Sequence, residues 1–290
     1  MPLSSQPNFD SFDLTSALPP ASITLSESID LPSNCAAYVG EGQECTSEMT
    51  AMRVLFEDCG DAFIVCRCAD ADMTMDTVLD RLGRVPVGLR RYAGTLVVLT
   101  DSSPHAYTLT TGDTHFFADC EMETWVHEIT HAYDFAEATW QSSAPGWAEA
   151  LATDSCVPDD YSLVNELEDF AQVSVIMVYT LIYGELPPGF VADCMENQLA
   201  FMSSLELYSP ETLFGNNCYI TEPGPPARHT VPPAVLDPSR TFQTLAPANT
   251  FSESPSAAAT LRTNDATTFQ RQQSSFLAGA FIYVGLLILA

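Results

Sequence analysis

The sequence predicts an α+β domain in which a small sheet precedes a set of helices and disulfides staple the two together. Three observations predict it. The run Thr95-Leu96-Val97-Val98-Leu99-Thr100 is rich in β-branched residues and bounded by Gly94 and by Asp101-Ser102-Ser103-Pro104, the marks of a strand. From residue 121 onward apolar residues recur at helical spacing, so strands come first and helices follow. Nine cysteines, at 35, 45, 59, 66, 68, 120, 156, 194 and 218, are spread through the same region instead of gathering into paired knuckles. That spread points to disulfides in an oxidising compartment, and the odd count leaves at least one thiol outside intrachain pairing. Cys66 and Cys68 would share one face of a strand, and separate disulfide partners are expected for them in preference to a shared metal.

Each segment has its own reason. Residues 1–34, rich in Ser, Pro and Asp, read as a disordered or extended lead. The domain occupies 35–221, and with 46% apolar residues in the chain it can bury a sizeable core. Helices are expected over 121–140, 146–156, 161–183 and 193–208, the third closed by Gly184 and Pro187-Pro188. Eight of the twenty prolines then fall within 222–263 among Ser, Thr and Ala, a stalk composition that buries no core.

The last segment, 264–290, reads as a glycolipid-attachment signal. Asn264-Asp265-Ala266 supplies small residues, 267–275 a polar spacer, and 276–290 an apolar tail. Fifteen residues are short for a membrane span, which takes about 20, and no cationic flank follows them. A secreted or cell-surface protein with a glycosylphosphatidylinositol anchor is therefore expected. Residues 1–34 contain neither a basic n-region nor a long apolar stretch, so a signal peptide is expected to be missing from the N-terminus.

Charge narrows the partners. Ten cations, all arginine, stand against 38 Asp and Glu, giving a formal net charge of −28. Such a chain repels phosphate backbones and anionic headgroups, which excludes nucleic acid and leaves membrane or cell wall contact to the lipid anchor alone.

His127-Glu128-Ile129-Thr130-His131 is an HExxH sequence inside a helical segment. Residues i and i+4 lie one above the other on a helix, so both imidazoles can face one Zn²⁺ while Glu128 addresses a metal-bound water. With five His and eighteen Glu in 290 residues, chance supplies roughly 0.005 such matches. A catalytic zinc needs a third protein ligand, and Glu149 and Glu168 are the candidates. At 100° per residue, Glu168 falls in the arc of Val164, Leu167, Ala171, Val175, Val178 and Ile182. A carboxylate buried there without a partner would cost several kcal/mol, and a zinc ion would satisfy it. Helical geometry thus favours Glu168 as ligand beside His127 and His131. It also puts Tyr161, two turns earlier, on the same side. Asp134, one turn past His131, is either a carboxylate that holds a ligand imidazole or an exposed side chain. The strand at 95–100 is either an edge for an extended peptide or a central strand. Trp125, Trp140 and Trp147 are expected in the core, and His105, His115 and His229 are not expected as ligands.

The run Tyr161-Ser-Leu-Val-Asn165-Glu166-Leu-Glu168-Asp169-Phe170-Ala171-Gln172, with His127-Glu128-Ile-Thr-His131-Ala132-Tyr133-Asp134, resembles the catalytic domain of the anthrax lethal factor family. That family has an HExxHAxD helix, then a Tyr, then a Glu seven residues later in an E-x-F-A-E segment. The resemblance implies a zincin-like metallopeptidase fold, with His127, His131 and Glu168 as zinc ligands, Glu128 as general base and Tyr161 as oxyanion stabiliser. It covers about 25 residues, and departs from the pattern at Gln172, where Glu is usual, and at Thr130, where the relative has Gly. Beyond these segments, the acidic, cysteine-bearing chain with its stalk is similar to fungal conidiation-specific secreted proteins with a proposed peptidase domain.

The expectation is a zinc-dependent endopeptidase that hydrolyses peptide or protein substrates outside the cell. The alternatives are a catalytically degenerate zincin-like protein with a structural or adhesive role at a cell wall or spore surface, and a zinc hydrolase acting on some other bond.

Overall fold

The computed structural model describes residues 3–6 and 13–215. A short β1 (Ser4–Ser5) and α1 (Leu14–Ala17) lead into β2 (Ile23–Ile29), α2 (Ser33–Ala36) and β3 (Met49–Phe56). In β3, Met49, Ala51, Val54 and Phe56 are buried while Thr50 and Arg53 face outward. After β4 (Phe63–Cys68) come α3 (Met75–Arg84) and α4 (Val87–Arg90), then β5 (Leu96–Leu99), β6 (His105–Thr108) and β7 (Thr114–Phe117). Helices dominate the rest: α5 (Met122–Ala136), α6 (Pro145–Thr153), β8 (Cys156–Val157), α7 (Glu166–Tyr183), α8 (Glu196–Ser204) and α9 (Pro210–Leu213).

Six strands form one mixed sheet in the order β2-β3-β4-β5-β7-β6, and β1 and β8 form a separate parallel pair. The β4-β5 and β5-β7 pairs are parallel, and β6 closes one edge antiparallel to β7. All four residues of β5 are buried because helices cover one face and the disulfide-bearing segment the other. On the helical face Phe116 stacks on Trp125 of α5, with centroids 3.9 Å apart. On the other face Tyr38 packs edge-on against His115. A second helical layer follows, in which Thr130 of α5 meets Ser174 of α7, and Trp147 of α6 packs on Phe170 and Phe201.

The combination of a small sheet with helices and the stapling stand: Cys35–Cys66, Cys45–Cys68 and Cys156–Cys194 are disulfides, Cys59 is also disulfide-bonded, and Cys120 is a free, buried thiol. Cys66 and Cys68 do take separate partners. The cluster Cys45, Cys68 and Asp70 offers no thiolate, since both sulfurs are joined.

Three expectations need correction, and one alternative left open is decided. Residues 13–34 are part of the domain, with α1 docked on α5 through Leu14 N–H to Glu123 and β2 forming a sheet edge. Helices α3 and α4 interrupt the strands, so the order is mixed. Of the two positions left open for the strand at 95–100 it takes the central one, and β2 and β6 stand at the ends of the strand order. The helix expected from 161 starts at Glu166, where the Asn165 side chain accepts from the Leu167 and Glu168 amides and caps it. Its far end matches: Gly184 adopts φ +74°, the left-handed conformation that a glycine enters at least cost. Among the described residues no helix is long and apolar enough to cross a membrane. The proposed stalk and anchor signal, at 222–263 and 264–290, lie outside the described residues.

Candidate metal centre

Helix α5 is buried almost all round, between the sheet and α7, and this places three polar side chains of the HExxH sequence inside the protein. His127, Glu128 and His131 are 7%, 5% and 5% exposed. The third element is the first turn of α7, where capping by Asn165 aims Glu168 back at α5. His127 Nε2 lies 3.0 Å from Glu168 Oε2, His131 Nε2 lies 3.2 Å from the same oxygen, and the two Nε2 atoms are 3.0 Å apart. Glu168 keeps 18% of its side chain exposed, which opens the triangle to solvent on one side.

The donor set fits zinc. Bonds of about 2.0–2.1 Å at the tetrahedral angle put ligand atoms about 3.3 Å apart, close to the triangle seen. His127 Nδ1 faces the Gln172 Oε1 acceptor at 3.1 Å, so it carries the ring proton and Nε2 presents a lone pair. In that tautomer the Nε2 lone pair and the Glu168 oxygen face each other, and a cation held between them would satisfy both. Two histidines and one carboxylate also leave a fourth position for water, the arrangement of a catalytic site.

The electrostatics follow from burial and proximity. Burial pushes the Glu168 carboxyl up, but the His131 and His127 imidazoles more than reverse this and hold it well below the usual carboxylate range. Burial raises Glu128, against the pull of both histidines. Burial would lower His131, but Glu168 and Glu128 raise it above its ordinary value. Glu128 Oε2 accepts the Thr108 hydroxyl at 2.8 Å, so the edge strand β6 anchors this side chain.

Tyr161 reaches the site, though by another route than a helix face. It sits in a turn closed by Asp159, whose Oδ1 accepts the Ser162 amide at 2.9 Å. Its ring lies 5.8 Å from that of His127, and its hydroxyl approaches the Glu168 carboxylate. Burial and the neighbouring carboxylates Glu168 and Glu128 raise the phenol well above its usual range. The burial argument for Glu168 also changes: α7 is buried on every side from Asp169 to Tyr179, and Glu168 is held by the first turn instead of an apolar stripe.

Other candidates fall away. Glu149 is exposed on α6. Asp134 is fully buried but accepts from the Ser142 amide and hydroxyl, while His131 Nδ1 has no hydrogen-bond partner. His115 lies on the opposite face of the sheet, bonded to Glu44 and Tyr107, and His105 stacks on Phe117. His229 is outside the described residues. Trp125 and Trp147 are fully buried, and Trp140 is half-buried against Phe135.

Sequence reasoning missed Thr108, Asp159 and Ser162, and met Gln172 only as a departure. Asn165 followed three residues later by Glu168 is a helix-start signal that would have ended the helix there and exposed the turn before it.

A mixed, disulfide-stapled α/β domain with a His-His-Glu cluster between two helices is the class that fold and site define. The Con-13 family of conidiation-specific proteins matches residues 12–207, more than half of the chain, and the chain belongs to that family. It is similar to conidiation-specific protein 13 of Neurospora crassa, with 33% identity over 153 residues, covering 50% of this chain and 44% of that protein. The chain thus spans less than half the length of this relative. No solved structure matches.

Proposed function

We propose that this domain is a zinc-dependent endopeptidase with a zincin-like fold. The observation that carries the reading is the triangle of His127 Nε2, His131 Nε2 and Glu168 Oε2, with Glu128 beside it. Zinc bound there would supply Lewis acidity and a water acidic enough to ionise near neutral pH. Glu128 takes the proton of the attacking water, and Thr108 holds its Oε2 while Oε1 remains for the transfer. The Tyr161 phenol donates to the oxyanion that develops on the substrate carbonyl, a donation typically worth about 10² to 10³ in rate. Gln172 orients His127 through Nδ1.

Peptide is the substrate class because β6 is an edge strand. It stands last in the strand order of the described sheet, and Thr108 at its end contacts Glu128, so an extended chain lying along β6 would pass alongside the base. The disulfides favour an oxidising compartment, and together with the tail at 264–290 they support a secreted, anchored protein.

The test is metal content together with chelator-reversible peptide cleavage. Glu128→Gln should retain one zinc per chain and lose turnover, whereas Glu168→Ala should lose the metal. Zinc still at one per chain in Glu168→Ala would refute the ligand assignment. Zinc without cleavage in the wild type would favour a structural role at a wall or spore surface.

A further inference from the structure

The turn that carries Tyr161 and the first turns of α7 share one buried polar chain. The Ser162 amide and hydroxyl donate to Asp159 Oδ1 at 2.9 and 3.2 Å. Gln172 Nε2 donates to Asp159 Oδ2 at 2.7 Å, and Gln172 Oε1 accepts from His127 Nδ1 at 3.1 Å. All four residues are less than a tenth exposed.

A side-chain amide has an NH₂ group at one end and a carbonyl at the other, so its direction is set by whichever neighbour can only accept. Asp159 is that neighbour, with Oδ1 accepting from Ser162 and Oδ2 from Gln172. It takes the NH₂ of Gln172, which turns the carbonyl to His127, and the imidazole must then carry its proton on Nδ1. Nε2 is left with a lone pair facing Glu168 and His131. The amide itself adds no charge beside the ligand, so the carboxylate that fixes the ring stands one residue further out.

We propose that Asp159 is a positioning residue for the metal centre, selecting the metal-binding tautomer of His127 through the orientation of Gln172. The inference rests on the zinc-site reading and not on peptidase activity.

Substitution can reverse the polarity of the chain. In Asp159→Asn only one oxygen remains, and the buried Ser162 amide claims it, so an NH₂ group faces Gln172. Gln172 must then turn its own NH₂ to His127 or oppose one NH₂ with another. Adding Gln172→Glu restores an acceptor for both neighbours, since Glu at 172 accepts from Asn at 159 and from His127 Nδ1.

The experiment is zinc affinity of the full chain by chelator competition at pH 8. Asp159→Asn should bind zinc about 10- to 100-fold more weakly, and the double variant should recover to within about threefold of the wild type. Nitrogen-15 spectra of the metal-free chain report independently whether the His127 ring proton sits on Nδ1, as expected in the wild type and the double variant but not in Asp159→Asn. Should Asp159→Asn fail to fold, Gln172→Leu, which leaves the Ser162 bonds to Asp159 in place, must weaken zinc by the same order. Unchanged affinity in Asp159→Asn, a double variant as weak as the single, or identical spectra would overturn the proposal. A wild type that binds no zinc would instead overturn the metal-site reading on which it stands.

Discussion

Replacing Thr108 by Val removes one hydroxyl and almost no volume, and it isolates what the edge strand does for the base. Thr108 is 8% exposed, and its Oγ1 lies 2.8 Å from Glu128 Oε2, 2.9 Å from the Glu128 backbone carbonyl and 3.1 Å from Thr114 Oγ1. The single hydroxyl proton goes to the carboxylate, the strongest acceptor in reach. A hydrogen bond to a charged group is worth about 1.5–3 kcal/mol, and Glu128 is too deeply buried for water to replace it. At about 1.36 kcal/mol per factor of ten, a loss felt at the transition state lowers kcat roughly 10- to 100-fold. Thr108 touches neither metal ligand nor, through this hydroxyl, substrate, so zinc stoichiometry and KM should be unchanged. Thr108→Ser should restore most of the rate. The assay is steady-state peptide cleavage by zinc-loaded protein, with thermal unfolding to confirm the fold. A kcat within twofold of the wild type in Thr108→Val, or a change confined to KM, would refute the reasoning.

Other outcomes follow from the same geometry. Tyr161→Phe should keep its zinc and lose about 10²- to 10³-fold in kcat, and a loss below tenfold would remove the phenol from the mechanism. Cys156 and Cys194 close a loop of 38 residues, so replacing both by Ser should cost about 4 kcal/mol of stability on the chain-entropy account, read by denaturant unfolding. Burial raises Asp134 and Asp169 above the ordinary carboxylate value, outweighing the pull of Ser142 on the first and of Ser162 on the second. A raised folded pKa means that the native state binds more protons than the unfolded chain between the two values. The stability gain therefore grows as pH falls through the folded pKa and is complete below the unfolded one. The thermal midpoint should be higher at pH 5 than at pH 7.5, and Asp169→Asn should shrink that difference; a midpoint that falls on mild acidification would contradict this.

What could be read from the chain differs by element. The HExxH helix was legible because two histidines four apart face one way on any helix, whatever packs against it. The end of α7 at Gly184 was legible because a positive φ favours glycine wherever it occurs. Its start was not, because the apolar spacing of Val164 and Leu167 continues the helical period through a turn that Asn165 in fact interrupts. Strands β2, β3, β6 and β7 went unread because, unlike β5, none is an unbroken β-branched run between turn residues, and β4 was met only through Cys66 and Cys68. Tyr161 stands beside His127 as the helical spacing suggested, but it gets there from a turn closed by Asp159 and not from a helix face.

The sequence by itself determined the pair of histidines, the glutamate between them, the cysteine staples as a class and the combination of a small sheet with helices, all consequences of local period and composition. Only the tertiary structure decided that the first turn of α7 carries the Glu168 carboxylate to the two histidines, that β6 is the strand beside the base, and that Gln172 and Asp159 stand behind His127. Those relations join residues that the chain separates by 13 to 45 positions. Such distances are set by how layers pack, and no local preference encodes them.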